Sequence, residues 1–461
     1  MAMELPVEFV QSMRARLGQD YEAWEASMAA SPPVSVRINP AKISHAPALE
    51  PIPWTSHGFY LPLRPSFAQD PAWHAGAYYV QEASSMLIEA AIPTNLRDRP
   101  IRALDLCGAP GGKTTHLSSL IHPHSLIVAN EVIRQRSKVL LENISKWGSG
   151  NVLVTNQDPR ALGQLQGFFD LILVDAPCSG EGMFRKDPDA IAEWSPEHVQ
   201  LCAARQQRIL EDIWPALRPG GVLIYSTCTW NKQEDEEQID AFLRTHNAAL
   251  LPISVSPDWG LSETPLAQAS VFHCLPHQVK GEGFFLAAIQ KTEEDYPREE
   301  STRWKKLTLA DKKDRQALSD WMPEDWSLLS HAEFLYALPE VSLSATDEFL
   351  RRIPVLQAGV ELGEKKGKDY RPAPAAAWWT SLNQDAFETM SLDHEEALRF
   401  LRRDPQSFSA PKSWLLMQYE AVSMGWAKGL GNRINNYYPQ PWRMRMELPT
   451  SEDSFSLLSS F

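Results

Sequence analysis

The chain predicts an α/β protein built on a doubly wound, mostly parallel sheet, and three phrases carry that prediction. They read ALDLCGAPGGKTTHL from Ala103, LILVDAPCSGEG from Leu171 and LIYSTCTW from Leu223. Each is an apolar run of strand character that ends in a polar or glycine-rich turn. Helix-length stretches separate such runs, which is the alternation a parallel sheet needs. The turns then fall at the strands' carboxyl ends, where open α/β sheets bind their ligands.

The elements follow in order. From Leu5 to about Met28 apolar groups recur at helical spacing. Ser31-Pro32-Pro33 breaks that pattern, and VRINP predicts a short extended piece with Arg37 and Asn39 on one side. Pro51, Pro53, Pro62 and Pro65 make a loop-rich stretch; YYVQEASSMLIEAA, from Tyr79, predicts a helix. IRALDL predicts the first central strand, and Lys113 to Ile121 a helix. SLIVANE, NVLVTNQD and FDLILVDAP predict three more strands, with the helix RQRSKVLLENISKWG after the first of them. A long helix from Pro196 to Leu217 is expected to stop at Arg218-Pro219-Gly220-Gly221, before the strand VLIYSTC. KQEDEEQIDAFLRTH predicts a helix beginning near Asn231, with Glu234 to Glu237 as carboxylates on a solvated first turn. VFHCLPH and GFFLAAIQK predict two final antiparallel strands.

Glu293 to Glu300 then reads as a solvated acidic linker. WKKLTLADKKDRQAL, from Trp304, predicts a helix, and the tail a small β-rich module. From Gly425 to Arg445 the tail carries Lys428, Arg433, Arg443 and Arg445 and no acidic residue. Trp426, Tyr437, Tyr438 and Trp442 alternate with these charges, a composition suited to stacking on bases beside a phosphate chain.

At 461 residues the chain exceeds one ordinary core, so two or three domains are expected. Hydrophobic content of 43% and charged content of 22% are those of a globular protein. Ala2 to Gln19 lacks a signal pattern, and no apolar run approaches a membrane span. Five cysteines form neither a disulfide framework nor a CxxC zinc pair. A reduced, cytoplasmic protein without a metal or a membrane partner follows as the expectation. The net charge of −14 opposes a polyanion, so any nucleic-acid face must concentrate its Lys and Arg locally. The sixteen tryptophans are read mostly as core anchors.

The glycine loop DLCGAPGGKTT, between a strand and a helix, aims backbone amides and a helix N-terminus at a polar ligand. A phosphate-binding GxxxxGK[ST] loop would need glycine at position 107, where this chain has Cys107, and GxGxxG is absent. Glu131 ends the second strand, where a carboxylate holds ribose hydroxyls, and Asp158 ends the third, within reach of an adenine amino group. Each could equally cap a helix. Together with the loop they describe an adenosyl ligand. Cys178 and Cys228 follow the fourth and fifth strands on the same rim, so their sulfurs are expected to be neighbours; Cys202 and Cys274 read as buried hydrophobes.

These motifs resemble one family, the S-adenosylmethionine-dependent RNA cytosine-C5 methyltransferases, and within it the bacterial small-subunit ribosomal RNA methyltransferase F group. The resemblance rests on DLCGAPGGKT, Asn130-Glu131, Asp158, DAPCSGEGMFRKDP, YSTCT and GFF, with VRINP, VQEASSM and GWAKGLGNRINNYYP outside the centre. It implies a class I methyltransferase fold, a Rossmann-like sheet of seven strands, with a small N-terminal α/β domain and a PUA-like C-terminal extension. The implied units are 1–100, an RNA-binding domain; 101–292, the methyltransferase; 293–390, a linker and intermediate domain; and 391–461, the PUA-like domain.

By the same resemblance Cys228 is the nucleophile that adds to C6 of the base, Cys178 assists elimination, and Asp175 holds the cytosine. Cys107, Gly108, Ala109, Pro110, Gly111, Gly112 and Lys113 wrap S-adenosyl-L-methionine, Glu131 takes its ribose, Asp158 its adenine, and Asp175 also touches it. Cys107-Gly108 stands where close relatives in the family it resembles often carry two alanines. Arg37, Arg185, Lys186, Lys428 and Arg433 are the expected RNA contacts. The implied partner is ribosomal RNA or the small ribosomal subunit, approached by a monomer. The competing reading is a non-catalytic RNA-binding assembly factor with a relic cofactor site.

Overall fold

The computed structural model describes residues 5–293, 306–367, 369–406, 408–449 and 455–460. The expected acidic linker lies, apart from Glu293, outside the described residues.

Helices Val7–Leu17 and Tyr21–Met28 precede a small antiparallel sheet of β1 (Val34–Ile38), β2 (Glu50–Pro51), β3 (Gly58–Leu61) and β4 (Tyr78–Val80), in the order β2-β3-β1-β4. The helix expected from Tyr79 therefore starts late. Tyr79 and Val80 pair with Arg37 and Val36, as aromatic and β-branched residues prefer. Glu82 then accepts the N–H groups of Ser84 and Ser85, which starts a short helical run from Ser84 to Ala91.

The centre contains β5 (Arg102–Asp105), β6 (Leu126–Asn130), β7 (Val152–Thr155), β8 (Phe169–Asp175), β9 (Leu217–Thr227), β10 (Ala248–Leu250), β11 (Ser262–Leu266), β12 (Ala269–Cys274) and β13 (Phe284–Lys291). Seven of them run in the order β12-β13-β9-β8-β5-β6-β7, the sheet the sequence predicts. β5 to β9 pair in parallel, and β13 and β12 antiparallel. Successive residues serve opposite faces, so Ala103, Ile127 and Leu171 enter one core while Leu104, Val128 and Ile172 enter the other. Helices cover both faces.

The long helix ends at Ile213, earlier than expected, and the Arg218–Gly221 stretch is no loop. It lies inside β9, where Leu217 pairs Phe169 and Val222 pairs Leu171, so the surplus residues are absorbed as a bulge with Gly220 at φ +72°.

Further along come β14 (Trp326–His331), β15 (Phe334–Pro339), β16 (Gln357–Ala358), β17 (Val360–Lys366), β18 (Asp369–Pro372), β19 (Glu388–Ser391), β20 (Trp414–Tyr419), β21 (Val422–Gly429) and β22 (Ile434–Asn436). β14-β15-β17-β18 and β19-β20-β21-β22 are separate four-stranded sheets, while β16 joins the central sheet beside β7; with β10 and β11 it brings that sheet to ten strands. The helix predicted from Trp304 is short, Lys312–Ala317.

The two ends of the chain share a core: Val36, Phe59 and Tyr78 pack in one cluster with Leu362, Trp378, Phe400 and Trp426. Helix Arg134–Trp147 enters that contact through Gly148, whose φ is +87°; a Cβ there would fall 2.0 Å from the Trp378 carbonyl oxygen. Nine described tryptophans are buried, in keeping with core anchors.

Candidate active site

Parallel strands deliver their loops to one rim, and five of them build a single cleft there. β5 ends in Asp105, which is fully buried and accepts from Thr114 Oγ1 at 2.6 Å, closing the glycine loop onto helix Gly112–Leu120. Burial raises its carboxyl to about 7. Gly108 donates its N–H to the Asn130 carbonyl at 2.7 Å, and a Cβ on it would lie 2.9 Å from Thr114 Oγ1. Gly111 holds φ at +120° where the loop enters the helix. Outside the loop, Arg136 donates to the Ala109 carbonyl at 2.9 Å and Asn143 to that of Pro110 at 2.7 Å.

Cys107 and Ala109 reach from this loop into a cleft of about 410 Å³. Glu131 and Asp158 line it too, each a little beyond its strand rather than within it. Glu131 is 3% exposed and accepts the Ile133 N–H at 2.8 Å, while Asp158 caps helix Pro159–Gly163 through the Arg160 N–H. Both therefore hold local backbone as well as facing the cleft. Arg205 and Arg208 of helix Pro196–Ile213 complete the wall, and no sequence signal marked them.

Asp175, at the end of β8, faces Lys113 at 2.9 Å and accepts from Ser226 Oγ at 2.9 Å. The Lys113 ammonium also lies 5.2 Å from the Phe284 ring centre. Burial would lower its pKa, but Asp175, with Cys228 and Asp105 behind it, outweighs burial and the net shift is upward.

Cys178 and Cys228 enter the same cleft, with Sγ atoms 3.1 Å apart and no disulfide between them. The hydrogen bond to Cys228, reinforced by burial, raises the Cys178 thiol well above its ordinary value. That direction keeps Cys178 a thiol. Burial also pushes Cys107 up, so the third thiol of the cleft is held neutral. Cys202 and Cys274 are buried, as the sequence suggested.

Of the acidic run from Glu234 to Glu237, Glu237 is exposed and the other three are buried. The helix begins at Glu236, past the expected Asn231, and Glu234 and Asp235 are fully buried ahead of it. Burial raises Glu234 to about 7 against its bonds from the Ser179 N–H and Gln206. Asp235 accepts from Thr227 Oγ1 at 2.6 Å. Glu236 pairs with Arg16 at 2.8 Å and His273 at 3.0 Å. Asp235, Glu236 and His273 cluster as metal ligands do, yet the Arg16 guanidinium stands against both Glu236 and His273 and supplies the positive charge.

The expected RNA contacts divide. Arg37 is 1% exposed and donates to Gln81 Oε1, Thr115 Oγ1 and the Gly112 carbonyl, bracing the glycine-loop helix from inside. Arg185 is likewise interior, paired with Glu282 at 2.9 Å and donating to the Ser27 and Gly281 carbonyls. Lys186 is exposed, with its ammonium 3.6 Å from Glu282. Lys428 sits over the Trp414 ring at 4.9 Å, and Arg433 is exposed. Trp426 and Tyr438 of the aromatic set are core, whereas Tyr437 and Trp442 remain partly open.

Three carboxylates, Glu131, Asp158 and Asp175, line a cleft roofed by a glycine loop. That set of acceptors suits the hydroxyls, amino groups and positive sulfonium of S-adenosylmethionine.

Comparison with known proteins agrees. Residues 94–290 match the model of the 16S rRNA methyltransferase RsmB/F family. Residues 5–83 match the N-terminal domain of 16S rRNA methyltransferase RsmF, and 387–444 the methyltransferase RsmF PUA domain. Ribosomal RNA small subunit methyltransferase F of Escherichia coli strain K12 is 34% identical over 88% of this chain and 89% of its own. Its counterpart in Shewanella loihica is 31% identical over 88% of each. Among solved structures, a methyltransferase homolog from Pyrococcus horikoshii is 27% identical at TM-score 0.51, covering 61% of this chain and 98% of its own. NSun6 from the same organism, solved with SFG, shares the fold at TM-score 0.53 and 20% identity, covering 64% of this chain and 100% of its own. The chain belongs to the ribosomal RNA small subunit methyltransferase F family, and its cofactor is S-adenosyl-L-methionine.

Proposed function

We propose that the protein methylates C5 of cytosine in small-subunit ribosomal RNA, in the cytoplasm, through a covalent adduct between Cys228 and C6 of the base. The observation that carries this reading is the contact of two free thiols, 3.1 Å apart, inside the cleft lined by the cofactor-type carboxylates.

Residues Cys107 to Lys113, Glu131, Asp158 and Asp175 would hold the cofactor, which when bound supplies an electrophilic methyl group. C5 of cytosine is too weak a nucleophile to accept that group unaided. Cys228 forms an S–C6 bond, and the electron pair of the C5–C6 double bond becomes available at C5. Asp175, steadied by Lys113 and Ser226, accepts from the exocyclic amino group of the base or from N3 once it is protonated. Loss of the C5 proton to solvent water then restores the double bond and expels the Cys228 sulfur. Cys178, held as a thiol, donates its proton to that sulfur as it leaves. The target must leave its stack to enter the cleft.

Replacing Cys228 by Ala is expected to abolish methyl transfer while cofactor binding persists; full transfer by the variant would end the reading. Bisulfite sequencing of ribosomal RNA from cells without and with the protein would then name the cytosine.

A further inference from the structure

Two buried carboxylates tie the cysteine loops together in opposite directions. Glu181, just past Cys178, accepts the Trp230 backbone N–H on Oε2 at 3.1 Å; its Oε1 accepts Trp194 Nε1 at 3.0 Å and Asn231 Nδ2 at 3.3 Å. Glu234, past Cys228, accepts the Ser179 backbone N–H at 2.9 Å and Gln206 Nε2 at 2.8 Å, both on Oε2. Each loop thus sends a carboxylate to the other's main chain. Between the two straps the Gly182 N–H donates to the Cys228 carbonyl at 2.9 Å, and the Ser179 and Thr229 hydroxyls meet at 3.1 Å. The floor leaves no slack: a Cβ on Gly182 would fall 2.7 Å from Gly283 Cα.

Glu181 is 2% and Glu234 0% exposed, so these bonds act where water does not compete. A carboxylate accepting a backbone N–H is among the stronger hydrogen bonds, and a low dielectric strengthens it further. Without the straps, two glycine- and polar-rich loops would have to be ordered against their own conformational entropy. Among the described residues neither carboxylate bonds a cysteine sulfur, so both act through the backbone.

We propose that Glu181 and Glu234 are positioning residues for methyl transfer, a reciprocal pair of straps that keeps the Cys178 and Cys228 sulfurs in contact and turned into one cleft. This rests on the reading of Cys228 as nucleophile. The two straps differ in a way that makes them testable. Both oxygens of Glu181 accept from donors, so an amide there sets one donor against another. Glu234 uses Oε2 alone, and its Oε1 has no partner among the described residues. Glutamine at 234 therefore keeps the strap, and alanine removes it.

The test compares Glu181→Gln, Glu234→Ala and Glu234→Gln in the full chain. The first two are expected to lower kcat about 100-fold at saturating RNA and cofactor, with KM for RNA changed little, while Glu234→Gln stays near the parent. A second readout needs neither substrate: phenylarsine oxide bridges two thiols only when they lie together. Its affinity is expected to fall about tenfold in Glu181→Gln and Glu234→Ala and to hold in Glu234→Gln, with Cys178→Ala as the background. Parental kcat and arsenical affinity in Glu181→Gln would overturn the proposal, as would equal damage from Gln and Ala at 234. Should Glu181→Gln fail to fold, the pair at 234 decides alone. An active Cys228→Ala protein would instead sink the nucleophile reading and leave the arsenical result standing.

Discussion

Cys178 Sγ and Cys228 Sγ touch at 3.1 Å although 50 positions separate them in the chain. The register of β8 on β9 explains this, since Asp175 lies opposite Ser226 and both strands end at that level. Cys178 is held as a thiol against Cys228, so in the proposed mechanism its removal leaves the adduct without its leaving-group acid. Cys178→Ala is expected to lower turnover about 100-fold and to accumulate an RNA–protein adduct that survives denaturing electrophoresis. The adduct should vanish when Cys228 is also replaced; its persistence in the double variant would place the bond on another residue.

Arg37 gives a second prediction, of a structural kind. Its guanidinium is buried, pulled down to about 9 by loss of water, and bonded to Gln81, Thr115 and Gly112. Arg37→Ala strands those acceptors, a cost of about 3 kcal/mol. Thermal unfolding should register that loss, and cofactor affinity should fall because the glycine-loop helix loses its inner brace. RNA affinity of the folded fraction should be unchanged; a selective loss of RNA binding would contradict the buried placement.

The contrast between Arg37 and the thiols shows what the sequence made legible. Strand ends, the glycine loop and both cysteines follow from period and punctuation, because a parallel sheet sends every carboxyl end to one rim. Burial of a charge does not follow from pattern. Arg37 and Arg185 read as RNA contacts because a cation ordinarily faces water, and their partners Gln81 and Glu282 come from other segments. Glu234 and Asp235 read as a helix's first turn for the same reason, while tertiary contacts with Gln206 and Thr227 hold them inside. Pairing of β16 with β7, and the core shared by the chain's two ends, join distant segments that carry no local signal of each other.

Glu234 also sets a pH dependence. Its carboxyl rises from 4.5 to about 7 on folding, with Glu181, Asp235 and the Cys178 thiol nearby and Ser179 and Gln206 donating to it. A raised carboxyl stabilises the fold when protonated, so its contribution is complete below the unfolded value and disappears as pH climbs through about 7. Between about pH 5.5 and about pH 8 this one group removes about 2 kcal/mol of stability. Glu234→Gln, neutral throughout, should show a flatter profile and unfold at higher temperature than the parent at about pH 8. Parallel profiles for the two proteins would show that the carboxyl titrates normally.

The C-terminal sheet supplies the last prediction, and it turns on the difference between surface and interior cations. Lys428 covers Trp414, Trp414 meets Tyr437 at 4.7 Å, and Arg371 lies 5.0 Å over Tyr437, so aromatic faces and positive charges alternate along β20, β21 and their neighbours. Arg433 extends the series into solvent. On a chain with net charge −14, such a local concentration is what polyanion binding requires. Each cation that neutralises a phosphate displaces about one counterion, so Lys428→Ala and Arg433→Ala should each reduce the slope of log affinity against log salt by about 1. kcat at saturating RNA should stay at the parental level, because neither side chain approaches the cleft. A salt slope that both substitutions leave untouched would move the RNA path off this sheet, since Arg37 and Arg185 are sealed inside and could not supply the missing contacts.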